Sequence, residues 1–403
     1  MKVLHVIPSV APIQGGPSYA VLAMVQALRS QGIEVEIATT DDNGPKLLEV
    51  PLNQQTEYQE VPIWFFPRFA LPMKEFIFSA ALTQWLWQNM RNYDLAHTHY
   101  LFSYASTCAG AIARQQKIPY IVRTIGQLSP WALAQSRTKK WLYTQLIEQR
   151  NLRQAAAIHC TAPGEAEDVR KFGIQTPTIT IPLGVDIPNS RPDARKALRE
   201  KYGIADDVPV LLFLSRLHYK KRPDLLLHSL SSLAQEGCPF HLCLAGTGEP
   251  DYLNYLQTLI GSLGLTTQTS LTGFVAGQDK ELLLQGADIF VLPSFSENFG
   301  VAVAEAMAAG LPVVVTPGVQ IAPDIAEAKA GLVVEGEVET VAAAIAQLLD
   351  CPELRQQLGE NGRKFAQSHY SWDAIARQLA AAYTAILQKQ PLPLSLTQRD
   401  FML

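Results

Sequence analysis

Short apolar runs alternate along this chain with longer stretches whose apolar positions return every three or four residues. The clearest unit lies at 289–316, where IFVLP is followed by the loop SFSEN, the Ala- and Val-rich segment VAVAEAMAAG, and LPVVVT. This reads as strand, helix, strand, because parallel strands need a crossover and sheets covered on both faces carry continuous apolar runs. Further strands are expected at Lys2–Ile7, from Gly32 to Thr39, at Val61–Phe66, Asp94–His99, Thr178–Ile181, Val208–Leu214, His241–Gly248 and Ser270–Val275, with another in IPYIVR before Thr124. Helical patterns fill Tyr19–Arg29, 137–154, 337–349, 353–368 and 371–388. Strands alternating with helices predict a doubly wound α/β architecture. A chain of 403 residues with 48% hydrophobic content exceeds what one core fills, which is about 250–300 residues, so two domains are expected.

Pro182–Pro192 mixes Pro, Gly and Asn without periodicity, as linkers do, and divides the chain into 1–185 and 186–370. The tail 389–403 is expected to be loosely ordered.

A net charge of −4 and a pI near 6.1 give no global field for nucleic acid. Cys108, Cys160, Cys238, Cys243 and Cys351 are scattered and form no CxxC pair, which argues for reduced thiols and a cytoplasmic setting. The most apolar stretch, Leu101–Ala113, is too short and too rich in Ser and Thr to span a bilayer. MKVLHVIPSV reads as a first strand, since Pro8 interrupts it and no small-residue cleavage pattern follows.

Chemistry concentrates at the loop after Ile289–Leu292. Glu297 lies in that loop and Glu305 eight residues on, in a helix that is otherwise apolar, where an unpartnered carboxylate costs several kcal/mol. The free N–H groups of a helix starting near Gly300 fall between the two, a natural seat for an anion. Acceptor carboxylates flanking an anion site suit a polyhydroxylated, phosphorylated ligand; a capping Glu297 and a loop-bound Glu305 are the plainer alternative.

Arg216, Lys220, Lys221 and Arg222 bunch after Val208–Leu214, just before a helix start at Pro223-Asp224, which suits a diphosphate clamp or a surface ion-pair cluster. Gly15-Gly16 ends the loop after the first strand and permits close backbone approach to a ligand, or makes a plain turn. It lacks GxGxxG, which disfavours a nicotinamide cofactor. His97 and His99, two apart on a strand, point to one face; with no third ligand at useful spacing a metal pair is disfavoured. Trp64, Phe65, Phe66, Phe69, Trp85 and Trp87 fit a core or an apolar acceptor groove. Arg137, Lys139, Lys140, Arg150 and Arg153 form either a solvated face or a surface for anionic lipid head groups or a lipid-diphosphate acceptor.

Pro293-Ser294, Glu297, Phe299-Gly300, Glu305-Ala306-Met307-Ala308, Gly310 and Pro312-Val313-Val314 resemble the paired-glutamate signature of glycosyltransferase family four, retaining enzymes of the GT-B fold. The resemblance runs along essentially the whole chain. It implies two doubly wound Rossmann-like domains facing each other across a cleft, the first binding the acceptor and completed by helix 371–388, the second binding a nucleotide sugar. It also implies transfer of the sugar to an acceptor hydroxyl with retention.

By that resemblance Arg216 and Lys221 stabilise the leaving diphosphate, and Glu297 holds the donor sugar. Glu305 holds the ribose, and Asn298, Phe299, Gly300 and Val301 line the sugar and phosphates. Gly246 lies beside the phosphates, Phe274 and Val275 meet the base, Gly15 and Gly16 face the donor, and His99 lines the cleft on the acceptor side. No metal and no cofactor are implied; the donor is a UDP-, GDP- or ADP-sugar.

IPYIVRTIGQLSPWAL resembles a subgroup tied to exopolysaccharide and lipopolysaccharide assembly, in which an Arg-Gly pair touches the acceptor; Arg123 and Gly126 only approximate it. Acceptors are then saccharides or lipid-linked saccharides, with peripheral contact at the inner face of the membrane. Two departures stand out, Ser215 for the family's Gly before Arg216 and Leu183 for an Asn in the linker. An inactive subunit that binds a nucleotide sugar and a nucleotide-sugar epimerase are the rival readings. Intact Arg216, Lys221, Glu297 and Glu305 argue against the first.

Overall fold

The computed structural model describes residues 1–70, 77–134, 143 and 147–397. The chain divides into two compact units, Met1–Gly184 with Trp372–Leu403, and Val185–Ser371.

The first unit is built on an eight-stranded sheet. Its spatial order is Thr178–Thr180, Ala157–Cys160, Tyr120–Arg123, Leu95–His99, Lys2–Val6, Glu34–Thr40, Val61–Phe66 and Gln55–Tyr58, all parallel except the last strand. Strand alternation sorts side chains to opposite faces. Val3 and Ile7 pack in one core with Val25 of helix Gly16–Ser30 and Leu379 of helix Trp372–Leu387. Leu4 and Val6 pack in the other with Leu86 of helix Ala80–Asn89 and Ala109 of helix Tyr104–Gln116.

The second unit holds a six-stranded parallel sheet in the order Thr269–Gly273, His241–Ala245, Val210–Leu214, Ile289–Leu292, Val313–Val315, Gly331–Val333. Its first two crossovers build outward to one side, after which the chain returns to pair Ile289–Leu292 with Val210–Leu214. Reversal of strand order leaves a crevice at the carboxyl ends of those two strands, because their loops depart in opposite directions.

Several expectations are altered. The helix after the first strand begins at Gly16, three residues before the apolar pattern at Tyr19, since Pro17 suits the first turn. Part of the tail expected to be loose is ordered: Leu394–Thr397 is a short helix, and Leu396 is buried in the first core. Its apolar leucines have a surface to cover, which a composition rich in Pro and Leu does not reveal. The aromatic cluster splits, with Phe65 and Phe66 buried, Trp64 packed at a tilt against Trp85, and Phe69 and Trp87 exposed. Arg137, Lys139 and Lys140 lie outside the described residues, whereas Arg150 and Arg153 are exposed on the short helix Gln149–Arg153. Among the described residues no helix is long and apolar enough to cross a membrane.

Candidate active site

In the second unit the strand-end loops are laced together by backbone bonds. Leu217 N–H donates to Thr247 O at 2.8 Å, Gly246 N–H to Gly273 O at 2.9 Å, Phe295 N–H to Lys220 O at 2.9 Å, and Glu297 N–H to Gly318 O at 2.8 Å. Gly246 is obligatory, because a Cβ there would stand 1.8 Å from the Ser215 carbonyl oxygen. The crevice at the sheet's reversal point is therefore lined by a preorganised rim.

Across this crevice Lys221, on the turn Tyr219–Lys221, forms an ion pair with Glu297. Both side chains are mostly buried, and each charge offsets the cost of desolvating the other. The buried Ser294 hydroxyl adds a hydrogen bond to Glu297 Oε1 at 3.0 Å, fixing the carboxylate rotamer. Arg216 is exposed and forms no ion pair among the described residues. Arg222 is committed elsewhere: its Nη1 donates to Gly336 O at 2.6 Å, and its guanidinium lies 4.3 Å from the Phe295 ring centroid. Of the bunched cations, then, Lys221 pairs across the crevice and Arg216 is exposed on the same loop.

Helix Val301–Ala309 starts at Gly300, whose φ of +88° few other residues adopt without strain. Val303 and Ala304 N–H groups bond back to Gly300 O, and the N–H groups before them are the ones a helix start leaves without an intrahelical partner. Phe299 turns its ring inward, edge-on to Tyr370 at 5.3 Å, leaving its backbone at the rim beside Asn298 and Val301. Glu305 has the partner that its apolar helix demands: Lys280 Nζ donates to its Oε1 at 2.8 Å. Phe274 is exposed and Val275 half-buried, just beyond strand Thr269–Gly273. Lys280 escapes a reading of the sequence because helices Gly277–Gly286 and Val301–Ala309 meet only in three dimensions.

In the first unit Gly15 and Gly16 open helix Gly16–Ser30 as anticipated from the loop. His99 and Arg123 lie deeper than the sequence suggests. Both are buried, in a chain of hydrogen bonds that also holds His5, His97, His159 and Tyr383. Arg123 can only donate and the Ile181 carbonyl can only accept, so the two ends fix the direction of every link.

Arg123 faces His99 Nδ1 at 3.5 Å, His99 Nε2–H donates to His5 Nδ1 at 3.0 Å, and His5 Nε2–H donates to the Tyr383 hydroxyl at 3.2 Å. Tyr383 donates to His97 Nδ1 at 2.7 Å, His97 Nε2–H to His159 Nδ1 at 3.3 Å, and His159 Nε2–H to Ile181 O at 2.9 Å. Each ring is neutral, with one nitrogen donating and one accepting.

Burial, and then the nearby Arg123 charge, hold His5 and His159 down to about 3, and burial pushes His97 and His99 well below the ordinary histidine range. His99 is thus an internal network residue, with both its ring nitrogens facing protein partners. Arg123 is buried against it, and Gly126, half-buried, donates its N–H to Glu165.

His5 supplies the third histidine that the sequence spacing lacked, from the neighbouring strand, and ring nitrogens of His5, His97 and His99 lie within 4.8 Å of one another. The donor set does not suit a cation: the acceptor nitrogens are occupied, and Arg123, its Nε without a partner, already places a positive charge there.

A cavity of 360 Å³ opens at the carboxyl ends of strands Lys2–Val6, Glu34–Thr40 and Leu95–His99, lined by Ser9, Gln14, Asp42, Arg68, Tyr100 and Gln127 among others. This is the reversal point of the first sheet, between Lys2–Val6 and Leu95–His99. Arg68 is held by Asp42 at 2.6 Å. These residues went unnoticed in the sequence, although Asp41-Asp42 directly after a strand is the kind of signal that marks such a site.

Comparison with known proteins identifies the family and the fold. Residues 15–184 match the model described as "Glycosyl transferase 4-like domain", and residues 194–365 match "Glycosyl transferases group 1". The chain belongs to glycosyltransferase family four. It is similar to D-inositol 3-phosphate glycosyltransferase 2 of Catenulispora acidiphila, 29% identical over 93% of this chain and 91% of that protein. A second family relative, D-inositol 3-phosphate glycosyltransferase of Xylanimonas cellulosilytica, is 26% identical over 94% and 93%.

Among solved structures, Anabaena HepE in complex with UDP superposes with a TM-score of 0.76, 20% identity, and coverage of 96% of this chain and 100% of that one. Sucrose-phosphate synthase from Thermosynechococcus elongatus gives 0.75 at 20% identity, covering 97% and 100%. The fold is accordingly GT-B, two Rossmann-like α/β domains with parallel sheets.

Proposed function

We propose that this family member transfers a sugar, with retention, from a nucleotide-diphosphate sugar to an acceptor hydroxyl in polysaccharide, lipopolysaccharide or glycolipid assembly. The observation that carries the reading is the crevice of the second sheet, where Lys221 pairs with Glu297, exposed Arg216 stands on the loop beside them, and Glu305 follows one helix start later. The bond from the anomeric carbon to the diphosphate oxygen breaks as the acceptor oxygen bonds to that carbon on the same face, and the acceptor's proton passes to the departing diphosphate. Arg216 and Lys221 neutralise the charge that develops on the leaving group, as a metal ion does in other transferases, so the reaction proceeds without a divalent cation. Glu297 orients the sugar hydroxyls, Glu305 the ribose, and the N–H groups at Phe299–Val301 the phosphates and sugar. Phe274 and Val275 meet the base. The cavity at Ser9, Asp42 and Tyr100 takes the acceptor. A cytoplasmic site at the inner face of the membrane fits a lipid-linked acceptor.

Thermal melting with a panel of UDP-, GDP- and ADP-sugars tests donor binding, since a ligand at about 100 times its Kd adds about 2.7 kcal/mol. UDP-glucose is the first donor to try, because HepE was solved with UDP and glucose. Inositol 3-phosphate belongs in the acceptor panel, given the names of the relatives. Acceptor-dependent release of nucleoside diphosphate supports transfer. Binding without turnover favours a non-catalytic subunit, and sugar isomerisation without acceptor favours an epimerase.

A further inference from the structure

We propose that Lys280 is a positioning residue for Glu305, acting on nucleotide affinity through the ribose contact; this rests on the reading of the second unit as a nucleoside-diphosphate site. Glu305 is the single charged residue on Val301–Ala309, a helix whose other side chains are Val, Ala and Met. Nothing on its own helix can orient it. Lys280 comes from the first turn of helix Gly277–Gly286, directly after the loop that carries Phe274 and Val275, and bonds Glu305 Oε1 at 2.8 Å. One carboxylate oxygen is thereby tied down, and Oε2 is left as the acceptor for the hydroxyls of a ribose. The same link joins the segment assigned to the base with the carboxylate assigned to the ribose, so the two contacts are set at a fixed spacing before the ligand arrives.

The side chains are 37% and 21% exposed, so the pair is well hydrated and adds little to folding. Its effect belongs to binding, where ordering a rotamer-rich side chain in advance lowers the cost of association.

The test measures Kd calorimetrically on the full chain, for wild type, Lys280→Met and Lys280→Arg. The probes are whichever of UDP, GDP and ADP the wild type binds, and the 2′,3′-dideoxy analogue of that diphosphate. Lys280→Met is expected to bind the ribose ligand about three- to ten-fold more weakly, with the dideoxy ligand unaffected and Lys280→Arg close to wild type. Equal losses on both ligands overturn the proposal, since Lys280 then serves the phosphates or the fold. Full retention of affinity by Lys280→Met overturns it as well. A wild type that binds none of the three diphosphates instead removes the nucleotide-site reading beneath it.

Discussion

Lys221 and Glu297 neutralise one another across the point where the second sheet reverses its strand order. The two charges arrive from different strand-end loops, and each loop is pinned to its neighbour by the Phe295 N–H to Lys220 O bond. On the proposed function, a donor entering the crevice replaces an existing ion pair: its diphosphate takes the ammonium and its sugar hydroxyls take the carboxylate.

If Lys221 neutralises charge that grows as the glycosidic bond breaks, its removal depresses turnover more than donor affinity. Lys221→Ala is expected to slow single-turnover transfer about 100- to 1000-fold. Lys220→Ala is the control, with an effect well below that. A slower variant that merely binds donor less well makes Lys221 a uniform binder, and a greater sensitivity at Lys220 means the family register is carried over one residue wrong.

Glu305→Gln keeps the side-chain size and removes the charge that strengthens a hydrogen bond to a ribose hydroxyl. Nucleoside diphosphate binding is expected to weaken by about ten-fold, the equivalent of about 1.4 kcal/mol, with an unchanged melting temperature. Wild-type affinity in this variant removes Glu305 from the ribose.

If Arg216 and Lys221 supply the positive charge at the leaving group, transfer persists in excess chelator. Activity that collapses with chelator and returns with magnesium or manganese contradicts the cation clamp.

Tyr383→Phe takes away the hydroxyl that accepts from His5 and donates to His97, and so leaves two buried ring nitrogens without partners. Loss of a buried hydrogen-bond partner costs roughly 1–3 kcal/mol for each group left unsatisfied. Urea unfolding is expected to show a loss of about 2 kcal/mol or more; a loss within the scatter of surface substitutions shows that the network contributes nothing to the docking of helix Trp372–Leu387.

The same network sets a pH dependence. His5 and His159 stay neutral in the fold down to about 3, whereas an unfolded histidine gains its proton near 6.5. The unfolded chain therefore binds more protons between those values, and stability is complete above about pH 6.5 and falls as the pH drops toward 3. At pH 5 the loss is about 2 kcal/mol for each of these two histidines. Unfolding free energies measured at pH 7 and pH 5 check this, and a flat profile refutes it.

Strand and helix placement at 289–316 was legible because burial on both faces forces continuous apolar runs, and because Gly300 and Gly310 mark the two ends of a helix. The run resembling the paired-glutamate signature was legible for a related reason: its residues share one loop and one helix, so their spacing in the chain is their spacing in space. The sequence thus determined the α/β class, the family and the loop that faces the crevice. The fold alone decided the rest. Lys280 reaches Glu305 from another helix, and His5 reaches His99 from the neighbouring strand. Tyr383 reaches His97 from a helix 286 residues away. A carboxylate in an apolar helix announces that it needs a partner, but which lysine answers depends on how two helices pack. A histidine at a strand end can face solvent or core, and His99 became internal because His5 and Arg123, from the strands on either side, meet its two ring nitrogens.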